Sequence, residues 1–162
     1  MNVTKTESLP GKAGPRFPAE LLDSTAFLLK RLGYKAKERA MDAYDELGMS
    51  PYDHAVLVAL AEDSHETQGA LADALGYDRG QMVGILDELE EQGLVQRRRD
   101  PDDRRRQVVS ITPEGRKALT RLRALSRRLE DELLAPLSEE ERARLHDLLL
   151  QVAQHHLPAC GR

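Results

Sequence analysis

The sequence predicts a mainly α-helical protein with one small β-hairpin. Three observations carry that expectation. Apolar residues recur at steps of three and four through most of the chain. The period changes at one place, where Leu94-Val95 and Val108-Val109-Ser110-Ile111 read as two short β segments. A composition that is 40% hydrophobic and 32% charged suits the surface of a packed helical domain better than a β-sandwich.

The elements follow in order. Residues 1–18 are polar and hold Pro10, Gly11, Gly14 and Pro15, which reads as a flexible tail. From Ala19 the positions Leu21, Thr25, Leu28, Leu32, Ala36, Ala40, Ala43 and Leu47 form one amphipathic stripe. They predict a single long helix over 19–48, ended by Gly48. Ser50-Pro51-Tyr52-Asp53 then supplies a capping hydroxyl, a proline at the first helical position and an acid at the third. The helix it opens contains AVLVALA, apolar on all sides, so it is expected at the centre.

A connector from Asp63 to Thr67 leads to a small helix, Gly69 to Leu75, closed by Gly76. Asp78 caps the next helix, with Gln81 placed to reach back, and Met82, Ile85, Leu86 and Leu89 form its inner stripe. Two short helices around a tight turn make a helix-turn-helix. The β segments enclose RRRDPDDRRR, in which Asp100-Pro101-Asp102 is the turn, so the hairpin has an arginine-loaded tip. Thr112-Pro113-Glu114 opens a helix striped by Ala118, Leu122, Leu125, Leu129 and Leu133. Ser138 and Glu141 form a capping box for a last helix.

Length and chemistry exclude several classes. A chain of 162 residues suits one domain with a proper core. No apolar run approaches the ~18 residues of a membrane span, and the N-terminal stretch lacks an apolar signal core. The single Cys160 forms no intramolecular disulfide, which agrees with a reducing cytoplasm. Paired catalytic carboxylates, a phosphate-cradling glycine loop and a nucleophile elbow are all missing from the sequence, so no enzyme and no cofactor are expected. His155, His156 and Cys160 near the C-terminus are a weak metal signature, and no metal site is assigned.

Charge is distributed unevenly. Residues 94–128 carry 12 basic and 4 acidic side chains, a local +8, which leaves −12 for the rest of a chain whose total is −4. Eleven of those cations are arginine, the residue whose planar fork grips phosphates and base edges. A helix-turn-helix followed at once by a basic hairpin is a winged helix-turn-helix. Its second helix fits the major groove of DNA, and its thin hairpin reaches the narrower minor groove.

The stretch GLVQRRRDPDDRRRQVVSITPEG resembles the wing signature of the MarR family. Gly93-Leu94-Val95, Asp103-Arg104-Arg105 and Ile111-Thr112-Pro113-Glu114-Gly115 stand in the family's order, and LADALGYDRGQMVGILDELEEQG is similar to its paired DNA-reading helices. The similarity runs over roughly residues 19–156. It implies a homodimeric, ligand-responsive regulator, usually a repressor, reading a pseudo-palindromic operator in double-stranded DNA. Residues 49–112 would be the DNA-binding region, with dimerisation helices at 19–48 and 113–158. Independently, the terminal helices carry apolar stripes longer than a small winged domain can bury.

The same resemblance places Arg105 in the minor groove, with Asp103 orienting it. Arg97, Arg98, Arg104 and Arg106 are expected at phosphates, although strand alternation turns only about half of such residues toward DNA. Arg79, Gly80 and Gln81 occupy the first turn of the recognition helix, where arginine suits guanine and glutamine suits adenine. Val83 and Gly84 depart from the polar pattern commoner in the family and favour thymine-methyl contact and close approach. Arg31, Tyr34, Tyr44 and His54 are the expected polar groups of an effector site. The alternative is a winged helix that docks proteins without reading DNA, which gives no reason for six arginines among residues 97–106.

Overall fold

A computed structural model of the chain describes residues 16–62, 66–100 and 107–157, of Glu66 the backbone only. It divides into two compact units, residues 1–35 and 36–162. In the first unit the expected single helix is interrupted. Helix α1 spans Ala19–Leu22, and α2, Thr25–Asp45, begins after a break at Asp23-Ser24. The cause is local: the Ser24 hydroxyl accepts the Phe27 N–H at 3.3 Å and so caps a new helix inside a continuous apolar stripe. Phe27 packs edge-on against Phe17 with ring centroids 5.2 Å apart. The Arg31 guanidinium lies 5.0 Å from the Phe17 ring and 5.9 Å from that of Tyr34.

Helix α2 ends as the glycine predicts, with Gly48 at φ +65° and the Tyr44 carbonyl accepting the N–H groups of Leu47 and Met49. The second unit begins within α2 and continues with α3, Pro51–Glu62. Its cap is reciprocal. The Asp53 N–H donates to Ser50 Oγ at 3.1 Å, while Asp53 Oδ2 accepts the Ser50 N–H at 2.6 Å and its O–H at 2.9 Å. Those bonds account for a carboxylate that is only 5% exposed.

Next come β1 (Glu66–Thr67), α4 (Gln68–Leu75), α5 (Arg79–Glu91), β2 (Val95–Arg99) and β3 (Gln107–Ile111), followed by α6 (Pro113–Leu133) and α7 (Glu139–His156). The predicted strands pair, and the sheet has a third strand, β1, within the stretch where the sequence predicts a connector. Its order is β1-β3-β2, antiparallel throughout. Val109 pairs with Glu66 on one side and Arg97 on the other.

Leu57, Leu60, Leu71, Met82, Leu86 and Leu122 are fully buried and form the centre of the core, each such side chain contributing roughly 1.5–3 kcal/mol relative to exposure. Helix α6 lies along α3 with Ala118, Leu119, Leu122 and Leu125 inward. Helix α7 carries the predicted capping box, with Ser138 and Glu141 exchanging backbone-to-side-chain bonds at 2.8 and 3.3 Å. The Ser138 N–H, and then its hydroxyl, hold the Glu141 carboxyl below its usual range. Among the described residues, no helix is long and apolar enough to cross a membrane, and no three His, Cys, Asp or Glu side chains converge as metal ligands.

Candidate nucleic-acid interface and ligand cavity

The helix-turn-helix is built from three short-range devices. The Thr67 hydroxyl accepts the Ala70 N–H at 3.2 Å and starts α4. Gly76, at φ +66°, ends it, with the Tyr77 N–H reaching the Ala72 carbonyl at 2.9 Å. Asp78 Oδ1 then accepts the Gln81 N–H at 2.8 Å and opens α5. Tyr77 is held against Tyr52 by an edge-on contact at 5.5 Å, which ties the turn to α3.

Because Met82, Ile85, Leu86 and Leu89 face the core, the opposite side of α5 is presented outward. Arg79, Gly80, Val83 and Gly84 are exposed, and Gln81 is half-buried. A Cβ at Gly84 would meet nothing within 4 Å, so nothing in the described structure requires a glycine there.

The wing strands are placed by register. Val95 and Arg97 stand opposite Ile111 and Val109 on the inner face, and Gln96 and Arg98 opposite Ser110 and Val108 on the other. Arg98 is exposed and donates to Gln96 Oε1 at 2.9 Å. Arg97, expected at a phosphate, is instead turned toward α5. Its guanidinium lies 2.6 Å from Asp87 Oδ1 and 3.4 Å from Glu90 Oε2, and its N–H donates to Glu90 Oε1 at 2.9 Å. The alternation that turns Arg98 outward turns Arg97 inward. Asp103, Arg104, Arg105 and Arg106 lie outside the described residues.

Of the four expected effector residues, the structure brings two together. The Tyr44 hydroxyl and His54 Nδ1 are 2.7 Å apart at the wall of a cavity of about 360 Å³. Ala40, Ser126, Leu129 and Leu133 continue the wall, and Arg39 stands at it paired with Glu132 at 2.8 Å. Arg31 and Tyr34 belong to the first unit, where they contact each other. His54 Nε2 is buried and has no hydrogen-bond partner among the described residues.

Burial raises the Tyr44 hydroxyl above its usual range, against an opposing hydrogen bond from Ser126. Burial, and then the positive charge of Arg123, lower His54 below its ordinary 6.5. Sequence reasoning missed Ser126, Arg123 and the cavity's second wall. The only available signal was that Ser126, Leu129 and Leu133 share one face of α6.

The lowered His54 value has a definite sign. The unfolded chain takes up the proton first, so the neutral imidazole's contribution is fully present above pH 6.5 and is lost as pH falls through the folded value. His54→Phe is expected to flatten the acid limb of a melting-temperature profile. An unchanged slope below pH 6.5 would remove this assignment.

Residues 47–106 match the sequence profile of the MarR family. A putative transcriptional regulatory protein for the hcr operon of Thauera aromatica is 37% identical over 102 residues, covering 63% of this chain and 61% of that relative. Among solved structures, the transcriptional repressor CouR bound to a 23-mer DNA duplex is similar at a TM-score of 0.75 and 32% identity, covering 83% of this chain and 96% of CouR. CouR from Rhodococcus jostii RHA1 bound to p-coumaroyl-CoA gives a TM-score of 0.69 at 31% identity, covering 82% of this chain and 94% of that one. With this order of elements, this wing register and this extent of identity, the chain belongs to the MarR family of winged-helix transcriptional regulators.

Proposed function

We propose that the protein is a homodimeric repressor that reads a pseudo-palindromic operator and leaves it when a small molecule binds. One observation carries the DNA reading: α5, whose first turn is exposed, is joined through Asp87 and Glu90 to β2, the start of a stretch whose sequence holds six arginines between residues 97 and 106. The DNA-bound form of CouR supports it. Two copies related by a two-fold axis would set half-sites about one helical turn, roughly 34–36 Å, apart.

Unpartnered apolar surface supports the dimer. Leu28 and Leu32 in the first unit are exposed, as are Leu148, Leu149 and Val152 on α7. The cavity beside Tyr44 and His54 supports an effector with an aromatic or apolar body and an anionic or hydrogen-bonding group. Leu129 and Leu133 suit the body, while the unpartnered His54 nitrogen suits the polar end. Such a protein works in the cytoplasm, where it meets the chromosome.

Fluorescence anisotropy against the DNA upstream of its own coding region tests the reading. Arg105→Ala is expected to cost on the order of 1–3 kcal/mol of operator binding. Asp103→Ala should weaken binding less, by releasing the arginine without deleting it. Long-range charge alone predicts the opposite sign, because removing an acid from a DNA-facing loop favours binding. Tighter binding by Asp103→Ala at an unchanged melting temperature would leave only a generic basic patch.

A further inference from the structure

We infer that Arg97 is a positioning residue, which locks the pitch of the wing to the recognition helix so that both meet DNA as one rigid reader. The inference rests on the DNA-binding reading above. Asp87 and Glu90 stand three residues apart on α5, so both carboxylates point to one side of the helix. Arg97 enters from β2 and meets both, at 2.6 and 3.4 Å, while Glu90 also takes up the strand's N–H at 2.9 Å.

That last bond has a second meaning. Strand β2 is at the edge of the sheet, where an outward N–H has no strand to pair with, and Glu90 supplies the acceptor. Side chain and main chain of one residue are therefore fastened to one carboxylate, which fixes the strand in rotation as well as in distance. A small change of pitch here grows toward the far end of the hairpin, since a strand advances about 3.3 Å per residue.

Electrostatics separates this role from phosphate binding. One guanidinium between two carboxylates leaves a local charge of −1, which repels a phosphate rather than recruiting it. The Arg97 side chain is 19% exposed, whereas Asp87 and Glu90 are 57% and 41% exposed. Ion pairs open to water on one side add little to global stability, so substituting Arg97 should leave a folded protein with a looser wing.

The experiment uses the full chain and a duplex that the wild-type protein recovers from a random-sequence library. Binding is measured against salt concentration for wild type, Arg97→Lys, Arg97→Gln and the double variant Asp87→Asn/Glu90→Gln, with an unrelated duplex as the non-specific probe. Arg97→Gln and the double variant should each lose tenfold or more in specific affinity, and Arg97→Lys, which still reaches one carboxylate, should lose a smaller but measurable part of it. For the Arg97 variants the slope of log K against log salt should stay as in wild type, while the double variant, with two acids fewer, should bind the unrelated duplex at least as tightly as wild type even as it loses specific affinity.

A phosphate contact gives a different pattern. Arg97→Gln would then lower the salt slope by about 0.9 and weaken both duplexes alike, Arg97→Lys would be nearly silent, and the double variant would bind more tightly. That pattern overturns the inference, as does unchanged specific binding in all three variants. Should Arg97→Gln fail to fold, Arg97→Lys and the double variant still give opposite answers for the two roles. A wild-type protein that recovers no duplex overturns the DNA reading itself, an outcome distinct from each of these.

Discussion

Gly115→Ala is expected to destabilise the protein by about 3 kcal/mol, the upper part of the range for forcing an atom into a filled site. Gly115 sits in the first turn of α6 and is buried. An added Cβ would overlap the Leu94 carbonyl oxygen and lie 2.8 Å from Ile111 Cγ1. Neither neighbour is free to withdraw. The Leu94 oxygen accepts the Thr112 N–H at 3.0 Å and lies 3.1 Å from the Thr112 hydroxyl, and Ile111 is the last residue of β3. Thr112 itself caps α6 by accepting the Gly115 N–H at 3.0 Å, so the clash falls on the joint between wing and helix. For a chain of this size the expected fall in melting temperature is about 6–12 °C. A urea midpoint within error of wild type would mean that the joint is looser than these distances state.

Leu86→Ala is expected to cost about 2–5 kcal/mol, because the removed side chain leaves a cavity that its neighbours fill only in part. Leu86 is fully buried under α5, with Met82 and Leu89 on the same stripe. The contrast with Val83 makes the test sharp. Val83 is 39% exposed on the flank of the same helix, outside the buried stripe, so Val83→Ala should change stability by under ~0.5 kcal/mol. Chemical denaturation of both variants, with unchanged m-values, checks the pair. Equal losses at the two positions would contradict the assignment of inner and outer faces to α5.

Those faces were legible in the sequence because helical period and burial are the same information. Met82, Ile85, Leu86 and Leu89 announce the inner stripe, and the caps at Ser50, Asp78, Thr112 and Ser138 announce where helices begin. What escaped depends on partners remote in the chain or on competition between local signals. Strand β1 has two residues, too few to show a period, and its partner is β3. The break before Thr25 is a serine cap written over an uninterrupted apolar stripe, and periodicity alone reads straight through it.

The candidate site divides along the same line. Arg79, Gly80, Val83 and Gly84 stand outward on α5, where a helical period places them. Arg97 and Arg98 are adjacent and chemically alike, and only the pairing with β3 decides that one faces α5 and the other faces away. Tyr44 and His54 are ten residues apart and meet across the turn that ends α2. Their cavity is completed by Ser126, Leu129 and Leu133, which no local pattern connects to them.

The two-residue strand β1 also governs the order in which the molecule can be made. It pairs with Val108 and Val109, so its partner is synthesised only after α4, α5 and β2 have all been added to the chain. The helices α4 and α5 form from near neighbours and are fast, whereas closing the sheet joins positions some 43 residues apart and carries the entropy of that loop. Strands β1 and β2 pair with nothing but β3, so the sheet closes only when β3 enters between them.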